Sequence, residues 1–179
     1  MSAFKIMVIL AIFTVFSLLW KIMFRKKRHQ WYIRRAKEVY RRINDNRNEY
    51  TDAQLLNYLR HINPYVFEEL LLLAFEQKGL KVVRNKRYSG DGGIDGHILV
   101  DKHKIPIQAK RYSGYIHKQD VVRFSRIVER KKVQFGYFIH TGKTGLLGGD
   151  PSSSTVRIIS GQRLVSLMDK STPLFNLYI

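Results

Sequence analysis

Apolar positions along this chain change period several times, and each change marks an element. Ile6 to Trp20 is an uninterrupted run of apolar and small residues, continued by Ile22-Met23-Phe24 after Lys21. The uncharged run alone is short for a membrane span, which needs about 20 residues. Ala3 to Phe24 reaches that length once Lys5 and Lys21 extend their ammonium groups to the two interfaces. A cleaved signal peptide is the competing reading, but no small-x-small site lies near Trp20 and the flank is basic and bulky. Gln30 to Ile43 then carries Tyr32, Ala36, Val39, Tyr40 and Ile43 at helical spacing. Asn44-Asp45-Asn46-Arg47-Asn48 is a polar break and the best domain boundary.

Beyond the break the pattern predicts alternating helices and strands. Thr51 is an N-cap for a short helix carrying Leu55, Leu56 and Leu59. Asn63-Pro64 opens a second helix, with proline at its first position, and Gly79 ends it. Phe67, Leu70, Leu71 and Ala74 form its main apolar stripe. Glu68 shares a face with Leu71, Leu72 and Phe75, whereas Glu69 aligns with Glu76. Glu69 therefore reads as solvent-facing and Glu68 as the enclosed acid, which needs a partner because burying it alone is costly. Leu80 to Lys86 is a first strand. A helix spans about His117 to Arg130, Val133 to His140 and Thr155 to Ser160 are buried strands, and Gly161 starts a last helix. The fold class is α/β: a mixed β-sheet flanked by helices, preceded by one N-terminal transmembrane helix. The division is 1–24 anchor, 25–48 basic juxtamembrane helix and linker, 49–179 folded domain.

Charge sharpens this picture. The chain carries 32 Lys+Arg against 14 Asp+Glu, a net of +18 with a pI near 10.3, which implies a polyanionic partner: nucleic acid, anionic membrane lipids, or both. Arg25 to Arg42 holds nine of the cations and one Glu; Ile43 to Ile179 holds 21 against 13 acids, so each part is net +8. Arg25-Lys26-Lys27-Arg28 directly follows the apolar run. The positive-inside bias puts that flank, and the domain after it, in the cytoplasm at the inner membrane. The basic helix after it reads either as a solvated continuation of the anchor or as an interfacial helix on anionic lipid; a DNA-tracking role is the less favoured reading, since the segment is pinned near the membrane. There is no cysteine, and the six histidines show no zinc-ligand spacing, so disulfides and cysteine-based zinc sites are excluded.

The candidate chemistry lies between Ser89 and Tyr112. Two short apolar runs flank Asp101-Lys102-His103-Lys104, which is a hairpin signal. A turn centred between Lys102 and His103 sets Asp95 opposite Lys110 and His97 opposite Gln108. Residues two apart on a strand share a face, so Gln108 and Lys110 point the same way as Asp95. Gly90, Gly92 and Gly93 beside them leave room for a ligand backbone. Pro106 belongs where no ladder hydrogen bond is needed, with a bulge or irregularity expected there. An ordinary hairpin with an exposed Asp–Lys pair is the competing reading, and such pairs contribute only about 0.2–1 kcal/mol. Gly142-Lys143-Thr144 fails as a phosphate loop, because Tyr137 occupies the position where the pattern needs glycine.

Gly90-Asp91-Gly92-Gly93-Ile94-Asp95, followed at this distance by Gln108-Ala109-Lys110, resembles the core of Mrr-type restriction endonucleases. These belong to the PD-(D/E)xK nuclease superfamily, in a branch where glutamine replaces the second acid. The resemblance spans roughly Asn63 to Asp169. It implies a restriction-endonuclease-like fold and adds Phe67-Glu68 as the match to the family's acid on the first helix. Relatives place a helix between the last two strands; Leu146 to Ser154 reads instead as a loop. The resemblance implies catalytic Glu68, Asp95, Gln108 and Lys110, with Mg²⁺ (Mn²⁺ as substitute) held by Asp95, Glu68 and the Ala109 carbonyl. Asp91, Gly92 and Gly93 would support the loop. Arg84, Arg87, Arg111 and Lys118 would contact phosphates, as positioning charges rather than base readers. The expected function is a membrane-anchored Mg²⁺-dependent DNA endonuclease restricting or processing incoming DNA. The alternative is a weakly catalytic or non-catalytic DNA-binding or assembly module on the same scaffold. Double-strand cleavage would need two visits or two sites, as in a homodimer.

Overall fold

The computed structural model describes residues 3–85, 92–145 and 155–173. Arg87 and Asp91, and the Leu146–Ser154 segment read as a loop, lie outside these residues. The first element is one continuous helix, α1 (Ala3–Asp45). After a short 3₁₀ turn come α2 (Asp52–His61), α3 (Pro64–Gln77), β1 (Lys81–Arg84), β2 (Gly96–Val100), β3 (His103–Lys110), α4 (Lys118–Arg130), β4 (Gly136–His140), β5 (Val156–Ile159) and α5 (Gly161–Met168). Local sequence explains several boundaries. Thr51 and Gln54 form a reciprocal capping box on α2. Asn63 accepts from the Tyr65 and Val66 amides to cap α3, with Pro64 at its first position.

The strands form one sheet in the order β1-β2-β3-β4-β5. The first three are antiparallel, and β3-β4 and β4-β5 are parallel. α4 supplies the crossover between β3 and β4. One core layer gathers α1, α2, α3 and α5 on the face of Ile98, Ile107, Tyr137 and Ile139. The other face carries α4, with Phe124 and Val128 against Phe138 and Val156. This is the expected mixed α/β sheet with helices on both faces.

Three expectations change. The α1 stripe of Tyr32, Ala36, Val39, Tyr40 and Ile43 is buried with α3 in the same core, so the face that could have lain on lipid packs on protein. Asn44 ties the end of α1 to the Met168 carbonyl and the Lys170 amide. Next, the β2–β3 turn is centred one residue earlier than expected: Val100 pairs with His103, and Asp101 and Lys102 both take positive φ. Two left-handed residues in a two-residue loop make the hairpin twist match that of its strands. Pro106 faces His97 in an unbroken β2–β3 register, without the expected irregularity. Its missing N–H points toward β4, before the β3–β4 pairing begins at Ile107.

The third change concerns α3. Glu69 is 2% exposed, and Glu68 is only half-buried. Arg84 at the end of β1 donates to Glu69 at 2.9 Å and grips Glu76 with two hydrogen bonds of 2.6 and 2.7 Å. His29 of α1 stands 3.6 Å from the other Glu69 oxygen. The acid that periodicity placed in solvent is thus enclosed by partners from two other elements.

Candidate active site

The site grows from the end of the β2–β3 hairpin. The earlier turn moves every cross-strand pair by two residues, which preserves the face of each side chain. Gly96 pairs with Ile107, and Asp95, just outside β2, is no longer opposite Lys110. The Asp95 amide still donates to the Ile107 carbonyl at 2.8 Å. The next ladder bond is replaced: Ala109 N–H donates to Asp95 Oδ2 at 2.7 Å. The carboxylate therefore lies near the sheet plane, at the gap where β2 stops. A strand residue's N–H and C=O point to the same side. The Ala109 carbonyl therefore turns toward that gap as well.

Gly92 and Gly93 make the gap, with φ of +70° and +90°. A Cβ on Gly93 would lie 2.7 Å from Gln108 Nε2, so the positive φ favours glycine there and a side chain would push the amide aside. Gln108 is 5% exposed, and its Oε1 has no hydrogen-bond partner among the described residues. It shares the register of Phe138, which places it and Lys110 on the α4 face. Glu68 approaches from the opposite layer. Leu72, one helical turn later on α3, packs so tightly over Gly96 that a Cβ there would meet it at 2.7 Å. Residues four apart on a helix share a face, so Glu68 lies in the row that covers the start of β2.

The structure thus gathers Asp95, Gln108, Ala109 and Lys110 at one strand end, with Glu68 on the neighbouring helix row. It does not gather the expected phosphate contacts. Arg84 is held by Glu76 and Glu69, whose hydrogen bonds and charge raise its pKa further. Arg111 donates to the Arg60 and Ile62 carbonyls at 3.0 and 2.6 Å, closing the end of α2. Lys118 is exposed at the start of α4. Among the described residues no group of three or more His, Asp or Glu forms a metal cluster.

Sequence reasoning missed a polar cluster beyond Lys110. Tyr112 Oη donates to Asp120 Oδ2 at 2.5 Å; burial first, then this bond, raises the Tyr112 pKa. His140 is level with Lys110 on β4 and fully buried. Burial lowers its pKa to about 4, against a smaller raising effect of the Gly142 backbone, so the ring is neutral near pH 7. The two-residue period linking 108 with 110 and 138 with 140 was the available signal.

Residues 59–168 match the Mrr_cat family, described as restriction endonuclease. The type IV methyl-directed restriction enzyme EcoKMrr of Escherichia coli K12 is 30% identical over 124 residues, 64% of this chain and 41% of that enzyme. The chain thus spans less than half the length of this relative. The MspJI restriction endonuclease in complex with a 27-mer oligonucleotide is 22% identical with a TM-score of 0.46, over 69% of this chain and 32% of that one. With the family match covering more than half of its length and containing Asp95, Gln108 and Lys110, the chain belongs to the Mrr_cat family of restriction endonucleases.

Proposed function

We propose that this protein is a membrane-held, divalent-metal-dependent DNA endonuclease that cuts incoming DNA at the cytoplasmic face of the inner membrane. The observation that carries the reading is the Asp95–Ala109 bond, which fixes a carboxylate at the open end of a hairpin beside Gln108 and Lys110. The donor set fits a hard cation such as Mg²⁺ or Mn²⁺. It consists of the Asp95 carboxylate, the Ala109 carbonyl, Glu68 on the adjoining helix and the buried, otherwise unsatisfied Gln108 Oε1. When bound, the metal supplies Lewis-acid chemistry and lowers the pKa of its water. Asp95 and Glu68 would balance its charge, and Gln108 would orient it without adding any. Lys110 steadies the negative charge that develops on the phosphate. By analogy with the methyl-directed relative, modified DNA is the first substrate to test. Double-strand breaks would require a homodimer or two visits.

The test is incubation of the full chain in nanodiscs with supercoiled plasmid, methylated and unmethylated, in EDTA, Mg²⁺ or Mn²⁺. Metal-dependent nicking is expected. Asp95→Asn should abolish it, and Lys110→Ala should slow it about 10²–10³-fold, the usual effect of one electrostatic stabiliser. The Lys110 variant should lose only about one unit of salt slope in DNA binding. Wild-type protein that binds every DNA offered but cuts none would make it a binding or assembly module instead.

A further inference from the structure

We propose that the membrane-distal basic face of α1, built on Arg34, Lys37 and Arg41, is a contact surface for the DNA backbone and not for lipid. The proposal rests on the membrane-held nuclease reading above. It begins from the spacing of the charges along a single unbroken helix. At about 1.5 Å per residue, Arg25 to Arg28 rise about 2–6 Å beyond Phe24, within a headgroup layer of about 5–8 Å. Arg34, Lys37 and Arg41 stand about 15, 20 and 26 Å beyond it. Screening cuts the membrane's surface potential over about 8 Å at physiological salt, so the last two feel little of it. Nor can this half of α1 lie flat on the bilayer, because its apolar face is buried against α3.

The three cations are exposed. Their spacing of three and four residues puts them on one side of the helix, and seven residues of rise span about 10 Å. Three cations on one helix face can each meet a phosphate of the DNA backbone. The nearby acid Glu38 is held by Arg35 at 2.8 Å. Lys37 and Arg41 form one lip of a groove of about 430 Å³ whose other side is Leu73, Gln77 and Lys170, with Asp45 at one end. The groove lies along α3, the helix that carries Glu68. α1 runs alongside α3, with Tyr32 stacked near Tyr65 at 5.1 Å and Lys37 to Arg41 level with Leu73 to Gln77. Glu68 to Gln77 is nine residues of that helix, about 14 Å. This surface supplies the positive charge that Arg84 and Arg111, held by internal partners, do not.

The experiment measures anisotropy of a labelled 30-base-pair duplex against the full chain in zwitterionic nanodiscs, in EDTA, over a salt series. In parallel, flotation with vesicles containing phosphatidylglycerol measures lipid preference. The triple variant Arg34→Gln/Lys37→Gln/Arg41→Gln should lose about 2.7 from the slope of log K against log salt, about 0.9 for each phosphate contact, with vesicle preference unchanged. The quadruple variant Arg25→Gln/Lys26→Gln/Lys27→Gln/Arg28→Gln should show the reverse. The single Arg34→Gln, expected to lose about 0.9, guards against a triple variant that fails to fold, and the conservative double variant Arg34→Lys/Arg41→Lys should keep the full slope. A triple variant with the full DNA slope, or one that loses its preference for anionic vesicles instead, overturns the proposal. So does wild-type protein in zwitterionic discs that fails to bind the duplex. Cleavage is not read, so an inactive enzyme that still binds through this face would defeat the nuclease reading alone.

Discussion

Two glycines side by side separate conformational need from packing need. Gly92 and Gly93 both have positive φ, but a Cβ on Gly92 would meet nothing within 4 Å, whereas one on Gly93 would collide with Gln108 Nε2. Gly92→Ala should therefore cost only about 1–2 kcal/mol, the ordinary penalty of the left-handed region. Gly93→Ala carries the same backbone penalty and should also displace the Gln108 amide, abolishing nicking while Gly92→Ala keeps most of it. Thermal denaturation and plasmid nicking on the two variants check this, and equal behaviour of the pair would mean that Gln108 is not held by the turn. At this scale the sequence was informative about which residues share the hairpin but not about which glutamate is enclosed. The helical wheel ranked Glu69 as exposed because Glu76 lies on its side. That polar row is instead where Arg84 of β1 and His29 of α1 close in. Tertiary partners from 15 and 40 residues away leave no trace in a 3.6-residue period.

The elements themselves were mostly legible, because each carries its own start and stop chemistry. The capping box at Thr51, the Asn63-Pro64 entry to α3 and the apolar β4 were all readable from local rules. The hairpin register was not, since Asp101-Lys102 lacks the glycine that normally announces a turn with two positive φ angles. The faces of the paired residues survived because the error was an even number of residues, whereas the Asp95 carboxylate turns toward the sheet plane to meet the Ala109 amide. The second half of α1 was legible as a helix but not as part of the core, because its apolar stripe suits a lipid surface as well as a protein one. This yields a prediction about where the folding unit begins. Removing residues 1–48 would uncover the α3 surface that Tyr32, Ala36, Val39, Tyr40 and Ile43 bury. It would also leave Glu69 with one partner fewer. Residues 25–179 should unfold cooperatively, whereas 49–179 should aggregate or melt at a markedly lower temperature. Denaturation of the two fragments side by side decides it, and equal melting points would place the boundary at the polar break.

The whole molecule sets one long, partly apolar helix ahead of a mixed α/β domain. The apolar window of α1 has a mean hydropathy of 2.4 and buries none of its residues in the fold, so α1 is long and apolar enough to cross a membrane. Phe4, Phe13, Phe16, Leu19 and Trp20 are each at least half exposed, a contiguous apolar surface of a kind that soluble monomers rarely leave uncovered. We predict that the full chain stays with membranes through alkaline carbonate extraction. Without residues 3–24 it should bind only in a salt-sensitive way through Arg25 to Arg28. The side on which the domain lies is a separate question, and the absence of cysteine makes it measurable. Gln119 is exposed on α4, so Gln119→Cys introduces a single thiol on the folded domain. The basic flank after Phe24 predicts a cytoplasmic domain. A membrane-impermeant maleimide should then leave this thiol unmodified in intact spheroplasts and label it after lysis. Labelling before lysis would put the domain outside the cell, where it could not act on DNA in the cytoplasm however well its site is built.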